Sequence, residues 1–295
     1  MINSYDLMVA HPETFRSLSV KDMLFVHYTC PQVEKQINAW SEYNIIGFTL
    51  NGKKIYHQGG KTWILSEDNT LFSKKGAFTQ EKYKYGGWEV MAFYIPDEYL
   101  KKVFNEYRRF LPLKDLPENT IDPMIELAID DRIRSYFFSI LTYFNHNGTS
   151  PEDLIELKFR ELLFNIYSNP INRMLLAYVS GLVDQYKTPL WQIMESNFMF
   201  NLSISEYSRL SQRSVSTFKR DFNSVYKTTP GKWLINKRLG YAKDLLESSM
   251  KSINEIAYES GFENSSHFSR VFKERFMMTP VQYRQHSNNS IRVNG

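Results

Sequence analysis

Residues 260–280 read SGFENSSHFSRVFKERFMMTP, and the fold of the C-terminal third turns on the fact that this stretch occurs twice. Phe268, Phe272 and Phe276 stand four apart, the spacing that lines side chains up on one helix face. Gly261 suits a left-handed turn after a short helix, and Thr279-Pro280 supplies an N-cap and a first residue for the next helix. Fifty residues earlier, Phe218, Phe222, Pro230 and Trp233 anticipate Phe268, Phe272, Pro280 and Tyr283. Ile204 and Glu206 recur as Ile253 and Glu255, one residue short of that period. The copies, residues 203–233 and 252–283, therefore differ by one residue in the turn between their helices.

Each copy breaks down in the same way. Ser203 or Ser252 caps a short helix, with Glu206 or Glu255 three residues on to complete a capping box. The first short helix ends near Ser211-Gln212 and the second at Gly261. A longer helix follows Arg213 or Asn264 and is expected to bury Phe218, Phe222 and Val225, or Phe268, Phe272 and Phe276. Short helix, tight turn, longer helix with an apolar stripe: this predicts a helix-turn-helix at about residues 203–226 and again at 252–276. Subtraction leaves Ser216, Thr217, Lys219, Arg220 and Asn223 outward in the first copy. In the second it leaves Ser265, Ser266, His267, Ser269, Arg270 and Lys273. Short hydrogen-bonding groups mixed with long cations are what reads base edges and phosphates in a major groove. A solvated surface explains one such face; two with matched Arg220 and Arg270 point to DNA. Between the copies, Leu234, Leu239, Ala242, Leu245 and Leu246 predict a rigid spacer helix. It would hold the two reading helices in successive major grooves, roughly one helical turn apart.

These residues resemble the DNA-binding domain of AraC/XylS-type transcription regulators. The likeness rests on Ser214-x-x-x-Phe218-x-Arg220-x-Phe222, Thr229-Pro230, Arg238-Leu239-x-x-Ala242-x-x-Leu245-Leu246, Ile253-x-Glu255-Ile256-Ala257, Gly261-Phe262, Phe268-x-Arg270-x-Phe272-Lys273 and Thr279-Pro280-x-x-Tyr283-Arg284. It covers about a third of the chain. The resemblance implies base-edge contacts from Ser216, Lys219 and Arg220, and from Ser265, Ser266, Ser269 and Arg270. It implies phosphate contacts from Lys273 and from the helix N-termini at Thr229 and Thr279. Ser208 departs from the family's usual alanine and Arg213 from its usual apolar turn residue. Either could loosen the first motif or add a phosphate contact.

Upstream, residues 20 to about 95 read as short β segments separated by turns: MLFVHYTC, NIIGFTLNG, KKIYHQ, KTWILSE, NTLFSKK and WEVMAFYIP. Asn51-Gly52 is a hairpin signal, and Gly59-Gly60, Gly76 and Gly86-Gly87 mark further turns. The pattern predicts a small antiparallel barrel or sandwich, and in outline and position in the chain it resembles the cupin-like sensor domains that many such regulators carry. From Asp97 the period turns helical, through IDPMIELAIDDRIRSYFFSILTYFNHN and PEDLIELKFRELLFNIYSNPINRMLLAYVSGL. Ile133, Phe137, Phe138, Ile140, Leu141 and Phe144 form a wide apolar stripe, for packing on the barrel or for pairing subunits. The fold class is thus α+β in two domains: residues 1–180 a barrel with helices, 181–189 a linker, and 190–288 an all-α double helix-turn-helix.

Charge agrees with this division. The chain carries net +4, yet residues 191–295 hold 15 Lys+Arg against 9 Asp+Glu, a basic third suited to a polyanion. The single cysteine, Cys30, excludes an internal disulfide. The N-terminus has no signal-peptide pattern and no apolar run reaches 18 residues, so a cytoplasmic protein without membrane contact is expected.

A catalytic role finds no residues to carry it. Metal-binding cupins need paired histidines, and none of the six here stands at His-x-His spacing; a metal or other cofactor is not expected. Glu67-Asp68 reads as a solvated turn, and His57 and Cys30 as ordinary strand residues. A small effector could still sit in the barrel against Tyr56, Trp63, Tyr83, Trp88 and Phe93, with Tyr85 beside them, although core aromatics explain the same residues. The expectation is a regulator of transcription that binds double-stranded promoter DNA, engages RNA polymerase, forms a homodimer and is controlled through its N-terminal domain. The controlling partner is a small molecule or a protein. The competing reading is a cupin-type enzyme with an accessory DNA-binding tail.

Overall fold

A computed structural model of the chain describes residues 1–67, 69–83, 87–118, 122–145, 151–183 and 189–293. It divides into two units, Met1–Gln192 and Ile193–Gly295. The first opens with strand β1 (Ile2–Asn3) and helix α1 (Ser4–Ala10). Nine strands follow: β2 (Arg16–Val20), β3 (Met23–Thr29), β4 (Gln36–Ser41), β5 (Asn44–Gly52), β6 (Lys54–Gln58), β7 (Lys61–Leu65), β8 (Thr70–Ser73), β9 (Gly76–Lys82) and β10 (Trp88–Ile95). Helix α2 (Asp97–Tyr107), strand β11 (Met124–Leu127) and helices α3 (Asp131–Leu141), α4 (Glu152–Ser168) and α5 (Arg173–Val183) complete it.

The strands make two open sheets, ordered β1-β4-β9-β6-β7 and β11-β8-β5-β10-β3-β2. Of the expected barrel or sandwich, a closed barrel does not form: among the described residues no strand of one sheet pairs with a strand of the other. Strand alternation shows why closure is unnecessary. On β3, Leu24, Val26 and Tyr28 face the five-stranded sheet, while Met23 and Phe25 face the helices. On β10, Val90, Ala92 and Tyr94 turn to the sheet and Met91, Phe93 and Ile95 to the helices. The six-stranded sheet is thus buried on both faces. Its edge strands β2 and β11 lie against α4 and α5, which keeps them from pairing elsewhere.

Two further expectations change. Residues 124–127, placed in a helix by the sequence, are strand β11, in register with β8 from Met124↔Ser73 to Leu127↔Thr70. Helix α3 begins only at Asp131, where the Asp130 carboxylate accepts the Ile133 N–H. Of the expected linker, residues 181–183 are the last residues of α5, where Leu182 is buried; residues 184–188 lie outside the described residues. At the Asn51-Gly52 turn, Gly52 adopts φ 80°, and a Cβ there would strike the Gly87 carbonyl.

The chain enters the second unit through α6 (Leu190–Asn197). There follow α7 (Ile204–Leu210), α8 (Val215–Tyr226), α9 (Pro230–Ser248), α10 (Ile253–Glu259), α11 (Ser265–Phe276) and α12 (Pro280–Val293). Leu239, Ala242 and Leu246 of α9 pack with Ile256, Ala257, Phe262, Phe268, Val271 and Phe272 into one core. No helix among the described residues is long and apolar enough to cross a membrane.

Candidate nucleic-acid interface

Helices α8 and α11 are set by local chemistry that repeats. Ser203 Oγ accepts the Glu206 N–H while the Glu206 carboxylate accepts the Ser203 N–H, and Ser252 and Glu255 do the same. These capping boxes start α7 and α10. After the turn, Ser214 caps α8 through the Thr217 N–H, and Asn264 caps α11 through the N–H groups of Ser266 and His267. Both helices run 12 residues and stop on a left-handed residue, Lys227 at φ 53° and Met277 at φ 61°. A helix of that length spans about 18 Å, and a major groove admits one. Thr229 and Thr279 then cap α9 and α12, accepting the N–H groups of Lys232 and Gln282.

Inward, Phe218, Phe222, Phe268 and Phe272 are fully buried. Outward, Ser216, Lys219, Arg220, Asn223, Ser266, His267, Arg270, Lys273 and Thr229 are exposed, while Thr217, Ser265, Ser269 and Thr279 are half-buried. Val225 is not in the core: it is 65% exposed. Tyr226 takes the inward place instead, stacked on Phe222 at 4.4 Å and meeting Trp233 at 5.8 Å. Phe276 does the same in the second copy, 4.5 Å from Phe272 and 5.8 Å from Tyr283.

Arg270 and Arg220 each have a carboxylate beside them. Arg270 Nη1 lies 2.8 Å from Glu274 Oε1, and Arg220 Nε lies 3.5 Å from Asp221 Oδ1. Exposed pairs of this kind contribute about 0–1 kcal/mol, little enough for an approaching phosphate or guanine to displace. Arg213 is bound up differently, since its side chain is only 11% exposed. Its Nε reaches Asp221 Oδ2 at 3.2 Å and its Nη1 donates to the Ser211 carbonyl at 2.8 Å. It braces the first turn against α8. Ser208, buried, donates to the Ser205 carbonyl at 2.7 Å, so its hydroxyl is satisfied within α7.

In the first unit the effector candidates separate. Tyr56 and Trp88 face the space between the sheets, their rings 6.4 Å apart, and Trp63 packs against the same cluster. Tyr83 lies beyond β9 with Lys53 Nζ 5.6 Å from its ring. Phe93 points the other way, 4.7 Å from Phe25 and 5.0 Å from Phe159, because β alternation puts it under the helices. Tyr85 and Asp68 lie outside the described residues. A cavity between the sheets is lined by Tyr56, Leu65, Leu71, Phe78 and Met124, and measures about 20 Å³, room for roughly one water.

No motif or spacing points to Lys54, whose side chain is buried in that space. Its ammonium contacts Gln32 Oε1 and lies 3.4 Å from Cys30 Sγ, and burial pulls its pKa down. His57 bonds Glu81 at 2.8 Å and Thr62 at 2.9 Å. Among the described residues no three His, Cys, Asp or Glu side chains converge as a metal site.

Two family models match separate stretches of the chain. The family described as ExsA N-terminal regulatory domain matches residues 44–178, and one described as a helix-turn-helix domain matches residues 207–286. The thermoregulatory protein LcrF of Yersinia pestis is 26% identical over 235 residues, covering 80% of this chain and 86% of its own. The HTH-type transcriptional regulator ExsA of Pseudomonas aeruginosa is 25% identical over 272 residues, 92% of this chain and 95% of its own. An HTH-type transcriptional regulator of Haemophilus influenzae is 35% identical over 260 residues, 80% of this chain and 82% of its own. These relatives are regulators of transcription, and the reading of this chain as an enzyme with an accessory tail gives way to theirs.

Proposed function

The chain belongs to the AraC family of helix-turn-helix transcription regulators, and we propose that it reads promoter DNA with both α8 and α11. The observation that carries this is the congruence of the two helices: equal length, equivalent caps, phenylalanines inward and an arginine outward at the same turn. Base-edge contacts are assigned to Ser216, Lys219 and Arg220 on α8, and to Ser265, Ser266, Ser269 and Arg270 on α11, with Thr217, Asn223 and His267 beside them on the DNA-facing side. Lys273 and the N-termini of α9 and α12 at Thr229 and Thr279 meet phosphates, with the helix dipoles favouring the anion. Such a protein works in the cytoplasm, bound as a homodimer and presenting RNA polymerase to the promoter.

Control enters through the first unit, consistent with its match to a regulatory domain family. The controlling partner is a small molecule or a protein, bound through this unit.

Arg270→Ala is expected to weaken specific DNA binding by about 1–3 kcal/mol and to relax selectivity at the base pair it contacts. Gel-shift titration against specific and non-specific duplexes checks this. Unchanged affinity and selectivity would remove Arg270 from the interface.

A further inference from the structure

The second helix-turn-helix departs from the first at two points in its turn, and both face the same loop. Gln212 occupies the left-handed position of the first turn, at φ 54° and exposed. Gly261 occupies it in the second, at φ 89° and buried. A Cβ on Gly261 would lie 2.7 Å from the Met199 carbonyl oxygen and 2.9 Å from Arg238 Nε. The turns close alike, Arg213 N–H donating to Ser208 O and Phe262 N–H to Ala257 O. In the first copy the cap Ser214 follows at once; in the second, one extra residue, Glu263, precedes the cap Asn264. The Glu263 carboxylate accepts a hydrogen bond from Asn201 Nδ2.

Met199 and Asn201 belong to the loop between α6 and α7, which leads into the first copy. Arg238, from the middle of α9, holds this loop in place. Its Nε donates to the Phe198 carbonyl at 2.6 Å and its Nη2 to the Phe200 carbonyl at 2.9 Å. The root of the loop is tied to α7, the Tyr207 hydroxyl donating to the Asn197 carbonyl at 2.9 Å. Besides this loop, α9 joins the two copies, since α8, α10 and α12 all pack on it.

We propose that the 198–202 loop, Arg238 and the Gly261–Glu263 turn form a clasp that fixes the orientation of α11 relative to α8. Arg238, Asn201 and Glu263 are then positioning residues for two-helix DNA reading, a role that rests on the reading of the preceding subsection. Because the chain enters this unit through α6, the clasp also delivers any shift of α6 to both reading helices. The burial that lowers the Arg238 pKa makes its pairing with two carbonyls the more demanding to replace.

The test uses the full-length chain and a duplex that the wild-type protein enriches from a randomised pool. Two derivatives have scrambled, in the stretch bound by each protomer, either the half assigned to α8 or the half assigned to α11, the assignment being made with Arg220→Ala and Arg270→Ala. Wild type should discriminate against both derivatives in an anisotropy titration. Arg238→Lys keeps the charge but cannot span both carbonyls; Asn201→Ala, a change at an exposed loop position, leaves the core untouched. Both variants should lose about tenfold of their discrimination against the α11-scrambled duplex, the loss expected for a hydrogen bond to a charged group. Their discrimination against the α8-scrambled duplex should stay at the wild-type level. Equal losses at both halves, or none, would overturn the clasp. If Arg238→Lys does not fold by circular dichroism, Asn201→Ala decides alone. A wild-type chain indifferent to one half would instead refute two-helix reading itself, and the clasp with it.

Discussion

Phe272→Ala should destabilise the C-terminal unit by about 3–5 kcal/mol, the range for deleting a fully buried phenylalanine ring. The ring is 0% exposed and sits where three helices meet. It lies 5.5 Å from Phe268 and 4.5 Å from Phe276 on its own helix, and 5.6 Å from Tyr283 on α12. Leu239, Ala242, Leu246 and Ile256 complete the same core. The residues around the site are mostly helix-borne and cannot collapse inward far, so the cavity term adds to the lost transfer energy. Denaturant melts of the full chain, compared with wild type, measure the change. A melting curve that does not move would place Phe272 off the core and undo the division of α11 into inner and outer faces. The loss should also reach DNA binding, since Arg270 and Lys273 project from the helix that Phe272 anchors.

That division was legible because two copies of one motif constrain each other. Capping boxes, turns and Thr-Pro starts are local chemistry, written in residues three or four apart, and they appear where the sequence puts them. Val225 shows the limit of periodicity: it lies near the apolar stripe, but Tyr226 finds an aromatic partner in Trp233 and goes inward instead. The clasp was half visible. The one-residue offset between the copies could be counted in the sequence, and Gly261 could be read as a left-handed turn. That a loop more than fifty residues upstream lies against both is a tertiary fact no local spacing encodes. In the first unit, strand alternation was readable but sheet closure was not. Whether strands close into a barrel depends on what covers the second face, and here helices from residues 97–183 cover it. The helical reading of residues 124–127 failed for the same reason: pairing with β8 overrides the apolar spacing of a four-residue stretch.

Asp97→Ala tests what holds those helices on their sheet. Lys75 Nζ lies 2.7 Å from Asp97 Oδ2, and both side chains are only 3% exposed. Asn44 of β5 donates to Asp97 Oδ1 at 2.8 Å and accepts from the Tyr178 hydroxyl of α5 at 2.9 Å. One network thus joins the six-stranded sheet, the β8–β9 turn, the start of α2 and the middle of α5. Deleting the carboxylate strands a buried ammonium and leaves the Asn44 amide short of an acceptor, so a loss of about 3–5 kcal/mol is expected. Lys75→Met should be costly alone for the mirror reason, a carboxylate left without its cation. The double variant should recover most of either loss, because a buried pair contributes little net stability over apolar side chains of similar volume. Denaturant unfolding of the four proteins gives the coupling directly. If Asp97→Ala costs under about 1 kcal/mol, an exposed pair's range, or if the double variant is no better than the worse single one, the helices are held by the apolar layer alone. Either way the change lies in the first unit, so for equal folded fractions the affinity of α8 and α11 for DNA should be unaltered. A variant that lost both stability and per-molecule DNA affinity would mean that the first unit sets the geometry of the reading helices.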